Sequence, residues 1–343
     1  MTPLPPTRVG SPGRRWAATA LKLAATALVT VFIVRRVGVD LGGLPEAALA
    51  RFRVRPLPLA ASVAALGGGY LLSAALWGRM VREMGGPRLS ARVAVPLFLV
   101  ANLGRYVPGK VLQITGLTLL ARERGVPGRV AAGAAVLGQG VALMGATLVG
   151  ISALLSPALP PQVRLAGWIG LVVTGAFMLA TSLPYPARHL ERLGYILARR
   201  GTDRAIPAAG SVPVLARRFG LRWTLWYAMN WSLYATAFWL LTWGLVGFHP
   251  FLYVAPAFAA AYVGGYIALF APAGLGVREG LLTALLAPVL DPESALAVAV
   301  AARVWTTAVE VVPAALLAPG VLRGTVASRP AGRGVPPEAR GDG

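Results

Sequence analysis

The chain has 343 residues, of which 56% are apolar and only 13% charged, with a mean hydropathy of +0.66. A water-soluble fold cannot hide that much apolar surface, so the bilayer is the solvent. The net charge of +21 is almost all arginine, with lysine only at Lys22 and Lys110, and it is scattered between apolar spans without an aromatic platform; that excludes nucleic acid as a partner. Arginine richness is equally the mark of a GC-rich genome, but either way a basic cytoplasmic rim attracts anionic headgroups. The absence of cysteine removes disulfides and thiolate metal sites.

In chain order, residues 1–13 are Pro/Gly-rich and predict a disordered tail. Residues 16–34 form an apolar run of 19, bounded by Arg14-Arg15 and Arg35-Arg36 with no small-residue cleavage site, so they predict a first span rather than a signal peptide. Full spans are predicted at roughly 15–35, 57–80, 128–155, 162–183, 222–247 and 294–318. Two further apolar regions, 91–122 and 251–290, are each interrupted. The first break reads Gly104-Arg105-Tyr106-Val107-Pro108-Gly109-Lys110, and the second Ala271-Pro272-Ala273-Gly274-Leu275-Gly276-Val277-Arg278-Glu279. The piece 91–103 is 13 residues long, too short to cross a core of about 30 Å. A re-entrant pair of half-helices fits better, and irregular backbone at that depth survives only inside protein or beside a wet cavity. Residues 321–343 predict a second tail. The fold class is therefore an all-α polytopic membrane protein, with about six full spans and two re-entrant hairpins in a single domain over 14–320. The sequence leaves open whether 251–290 is re-entrant or spans fully.

Charge sets the expected orientation. The stretch 184–222 carries Arg188, Arg192, Arg199, Arg200, Arg204, Arg217, Arg218 and Arg222 against Glu191 and Asp203, which places it in the cytoplasm with both termini. Counting outward puts Arg122-Glu123-Arg124 inside, and Asp291 and Glu293 outside. The loop with Arg35, Arg36, Arg51, Arg53 and Arg55 disagrees with this count. Three full spans separate the hairpins, so half-repeats at about 57–183 and 222–318 are expected to be inverted. The intervals Pro108 to Gln139 and Pro272 to Arg303 are both 31 residues. Residues 188–199 read either as a helix on the cytoplasmic interface or as a solvated basic linker.

The chemistry-bearing residues gather at the breaks. Helices restarting near Lys110 and Gly276 would aim unpaired N–H groups into the membrane, where a phosphate or carboxylate is favoured. Pro108, Gly109, Pro272, Gly274 and Gly276 supply the turns. Arg105, Lys110 and Arg278 are the candidate anion contacts, Arg offering a planar fork. The structural alternatives are a local Arg278–Glu279 pair and an Arg105 that snorkels to the interface. Arg303 and Glu310 lie seven residues apart, about 10.5 Å along one helix face, and a centred charge must face protein or water. Glu310 either exchanges a proton or neutralises Arg303 or Arg278. Asn102, Gln113 and Gln139 line a polar groove or act as glue between helices. Trp223, Trp226, Tyr227, Trp231, Tyr234, Trp239 and Trp243 read as belt and packing residues rather than a ligand cage. Glycines 133, 138, 140, 145 and 150 predict close helix contact. Isolated His189 and His249 predict no metal site, Gly67-Gly68-Gly69 lacks the context of a nucleotide loop, and no cofactor is expected.

The run Asn102 to Lys110, the downstream Arg122-Glu123-Arg124-Gly125, the run Pro272 to Glu279, and Arg303 together resemble the flippase-like membrane domain of lysylphosphatidylglycerol synthases over about residues 15–320. The resemblance implies movement of a lipid between leaflets through a cavity between inverted halves with re-entrant helices. It implies contacts at Arg105, Pro108, Gly109, Pro272, Gly274, Gly276, Arg278, Glu279 and Arg303. Gln139 is neutral where that family often has a charge, and the chain is expected to stand alone without the soluble aminoacyl-transferring domain, so lipid lysylation is not implied. Expected partners are anionic membrane lipids and a cell-envelope synthase or glycosyltransferase, and the expected location is the cytoplasmic membrane. Three readings stand: a flippase or scramblase for an anionic or polyprenyl-linked lipid, an anion channel or exchanger, and a non-transporting synthase partner or transferase. No span holds histidine or paired carboxylates for acid–base work, so a non-enzyme is expected.

Overall fold

The computed structural model describes residues 52–106, 111–154, 161–182, 219–267 and 276–327, which form nine α-helices and no strand. The predicted first span 15–35, the 184–218 part of the basic linker and both tails up to residue 13 and beyond 327 lie outside the described residues. So do Val107–Lys110 and residues 268–275, the centres of the two breaks.

Apolar residues dominate every described helix, and proline and glycine punctuate them. Helix α1 (Pro56–Glu83) starts with proline in its first turn, where a missing N–H costs nothing. Helix α2 (Ala91–Asn102) passes into a single 3-10 turn (Leu103–Tyr106), and α3 (Val111–Arg122) restarts beyond the break. Next come α4 (Gly128–Leu154), α5 (Pro161–Ser182) and α6 (Phe219–Val246). Then α7 (Phe251–Ile267) and α8 (Val277–Leu286) flank the second break. Helix α9 (Pro292–Ala327) is capped by the Asp291 carboxylate, which accepts from the Ser294 N–H at 3.0 Å, and it continues past residue 321, where a tail was expected to begin.

By length and composition, α1, α4 and residues Pro292–Val321 of α9 are able to cross a membrane, and α6 with α7 makes a fourth crossing if the pair, bent by 116°, counts as one. Residues 164–180 form the apolar part of α5, shorter than the span predicted at 162–183. Outward-facing Leu165, Trp168, Ile169, Val172 and Leu179 give α5 a greasy stripe on its exposed side.

Helices α1 and α6 pack antiparallel along their whole length. Leu59 meets Gly244 at one end, Ser73 meets Tyr234 midway, and Glu83 pairs with Arg222 at the other. Extended residues before α1 clamp the end of α6, with Arg53 N–H donating to the Leu245 carbonyl at 2.8 Å and Arg55 N–H to Gly244 at 2.9 Å. Two of the five α4 glycines singled out from the sequence make the close approaches that small residues permit: Gly145 lies against the backbone of Tyr227 and Ala228, and Gly150 against that of Ala259 and Ala260. Gly140 has open space beside it, and Gly133 and Gly138 meet side chains only.

The helices on either side of each break pack on each other. Helix α2 packs on α3, and α7 on α8. At the first turn-back, the Gly104 α-carbon sits so near the Leu112–Gln113 peptide that an added Cβ would lie 2.6 Å from it. There Gln113 Nε2 donates to Asn102 Oδ1 at 2.9 Å, tying the two half-helices at their break ends. At the second, Gly264 admits the Leu281 side chain. Two buried clusters result, one around Trp231, Phe238, Phe258 and Leu286, the other around Trp77, Met80, Leu97 and Trp223.

Candidate functional site: a cavity between the two broken helices

A cavity of about 1280 Å³, open mouth included, lies where the two clusters meet. It brings together Arg105 from the 3-10 turn, Gln113 from α3, Gln139 from α4, Arg278 from α8, and Arg303 and Glu310 from α9. Gly276 and Glu279 do not line it. Pro108, Gly109, Lys110, Pro272 and Gly274 fall outside the described residues.

Each arginine has a different partner. Arg105 Nη2 donates to Glu310 Oε1, and the Tyr106 hydroxyl donates to Glu310 Oε2 at 2.9 Å. Glu310 is 1% exposed, and these two donors take the place of water around its carboxylate. Arg303, equally enclosed, lies 3.5 Å from Glu279 Oε1. The other Glu279 oxygen accepts the Gly276 N–H at 2.8 Å, where Gly276 takes a φ of 79° to begin α8. Arg278 pairs with no carboxylate among the described residues, and its guanidinium stands 4.7 Å from the Phe258 ring centroid.

These contacts revise three expectations. Arg278 and Glu279 do not pair with each other, because adjacent helical residues point apart while Arg303 of α9 reaches Glu279 from the side. Glu310 neutralises neither Arg303 nor Arg278; it holds Arg105, which therefore turns inward instead of snorkelling. The α8 N-terminus is not wholly vacant for an anion, since the chain's own Glu279 already accepts one of its N–H groups.

The walls are aromatic. Arg105 lies 5.9 Å from the Tyr70 ring and 6.0 Å from Tyr106, and Arg303 lies 5.8 Å from Tyr106. Tyr227, Trp231 and Tyr234, expected as belt or packing residues, line the cavity, while Trp223 packs on Phe219 and both Trp239 and Trp243 pack on Phe248. On the wall opposite the breaks, the Asn230 amide donates to Ser73 Oγ at 2.7 Å, and Ser73 shares a 2.9 Å bond with the Tyr234 hydroxyl. Gln139 Nε2 donates to the Tyr262 hydroxyl at 3.4 Å. Tyr70, Tyr106, Phe258, Tyr262 and Asn230 were not singled out by the sequence reading. The available signals were the four-residue spacings of Asn230 with Tyr234 and Tyr262 with Tyr266, each putting both side chains on one helix face.

Such a cavity is able to hold one anionic group in the fork of Arg278 and to pack apolar or flat groups against the rings. Counting Glu279 on Arg303, three arginines face two carboxylates among the described residues, leaving one positive charge in excess.

A family model described as "Lysylphosphatidylglycerol synthase TM region" matches residues 19–314, most of the chain. No curated protein matches.

Proposed function

As the chain belongs to the family of the lysylphosphatidylglycerol synthase transmembrane region, we propose that this helical membrane protein moves an anionic or polyprenyl-linked lipid between leaflets. The headgroup occupies the cavity between the broken helices while the tails stay in the bilayer. The half with α2 and α3 and the half with α7 and α8 act as inverted counterparts that rock about the site, the arrangement in which transporters place substrate between discontinuous helices. The reading is carried by Arg278, a guanidinium with no carboxylate partner among the described residues, set in an aromatic-walled cavity. The aromatic walls suit an amphipathic guest better than a bare inorganic anion.

The test is flux of a fluorescent anionic phospholipid in proteoliposomes. Arg278→Gln is expected to lower the rate at least tenfold, about 1.4 kcal/mol of lost interaction or more. The paired change Arg105→Gln/Glu310→Gln, which keeps a hydrogen bond across the site, is expected to lower it as well. Flux unaltered by both would reject the cationic-cavity reading. Ion-selective currents without lipid movement would assign the cavity to a small anion instead.

A further inference from the structure

One charge-assisted contact in the cavity is made within the protein itself. Glu310 accepts from Arg105 on one oxygen and from the Tyr106 hydroxyl on the other. Its two oxygens satisfy one donor of Arg105 and the Tyr106 hydroxyl, as two oxygens of a phosphate diester would. Arg105 also has an unused donor: its Nε is buried without a hydrogen-bond partner. A guanidinium held by one carboxylate, with another N–H still unmatched beside a cavity, is able to exchange that carboxylate for a second anion.

We propose that Glu310 is an internal anion which the headgroup replaces on Arg105, and that the exchange loads one proton onto Glu310. This rests on the lipid-transport reading above. The carboxylate is 1% exposed, so once Arg105 turns to the incoming anion it cannot stay charged with only Tyr106 as donor. A proton from the open cavity adds to one carboxylate oxygen, leaving a neutral acid. The anion enters as a proton does, and both leave together.

The groups around Glu310 support this assignment. Glu310 acts on Tyr70 of α1, Arg105 and Tyr106 of the 3-10 turn and Tyr234 of α6, while Arg278 of α8 and Arg303 of its own helix line the same cavity. Arg303 is engaged by Glu279, and Arg278 stands over Phe258. Arg105 is therefore the cation whose release leaves Glu310 uncompensated.

The probe is dihexanoyl phosphatidylglycerol, a soluble phosphodiester whose own charge is constant from pH 5 to 8, titrated into the full chain in neutral detergent. Calorimetry in buffers of different ionisation enthalpy counts the protons taken up. The parent chain is expected to bind with uptake of about one proton, and by linkage its Kd is expected to rise about tenfold per pH unit over the range of that uptake. Glu310→Gln, whose amide oxygen keeps an acceptor for one of the two donors, is expected to bind as tightly at pH 8 as the parent does at pH 5, with no proton uptake. Tyr106→Phe is expected to keep the uptake but move the pH at which affinity falls.

Binding that needs Arg278 yet shows no uptake and no pH dependence in the parent would overturn the exchange while leaving the cationic cavity standing. Binding absent from every variant at every pH would overturn both. Because the proton count is read on the parent chain, a misfolded variant does not decide the outcome.

Discussion

Arg105→Ala is expected to destabilise the protein by about 3–5 kcal/mol, the usual loss when one member of a buried pair is removed. The substitution leaves Glu310, 1% exposed, with a single donor from Tyr106. It also detaches the turn after α2 from α9, elements 205 residues apart in sequence that this pair joins. Replacing both members, as Arg105→Met/Glu310→Met, is expected to recover most of the loss, since apolar groups of similar volume substitute for buried ion pairs at little cost. Denaturation in mixed micelles gives the measurement. A single variant as stable as the parent at pH 8 would mean that the pair contributes nothing to the folded state.

Gly104→Ala is the second large effect, and its cause is steric. A methyl group there would stand 2.6 Å from the backbone nitrogen of Gln113 and from the Leu112 carbonyl carbon. Backbone atoms cannot swing aside as a side-chain tip does, so α2 and α3 must separate, at about 1–3 kcal/mol. The Asn102–Gln113 bond opens with them, and Arg105, the next residue, loses its place beside Glu310. Lipid flux should therefore fall further than the stability loss alone implies. Gly140→Ala is the matched control, since nothing lies within 4 Å of a Cβ there. It should leave flux intact and stabilise α4 by about 0.5–1 kcal/mol. Equal behaviour of the two variants would contradict the close turn-back at Gly104.

The helix ends beside the two breaks were legible because proline and glycine act locally. A 12-residue α2 ending at Asn102 and an α8 opening at Val277 follow from residues within a few positions of each end. Glycines 145 and 150 were legible as contact points for a similar reason, although the sequence does not separate them from Gly140, whose surroundings are set by which face of α4 meets α6 and α7. Ion-pair partners were not legible. Sequence proximity favoured Arg278 with Glu279 and Arg303 with Glu310, whereas the fold crosses them, giving Arg303 to Glu279 and Arg105 to Glu310. Long side chains from three elements meet in the cavity, and only the tertiary arrangement decides which fork reaches which carboxylate. The aromatic wall was hidden likewise. Tyr234 and its neighbours look the same in a one-dimensional chain whether they meet lipid, another helix or a cavity. The short polar residues Ser73 and Asn230, each out of place in an apolar span, mark the helix faces that turn inward.

The excess of a single arginine over the carboxylates has an electrical meaning. An elementary charge carried across a membrane is worth about 2.3 kcal/mol per 100 mV. With Glu310 on Arg105 and Glu279 on Arg303, the empty cavity holds one positive charge among the described residues. A monoanionic headgroup that arrives with a proton leaves that sum unchanged. The loaded and empty forms then feel the transmembrane voltage equally, so a complete cycle moves no net charge, and the voltage performs no work on it. Under that exchange the electrical half of an ion-motive force is uncoupled from the carrier, and only the chemical gradients of proton and lipid set the direction in which it runs.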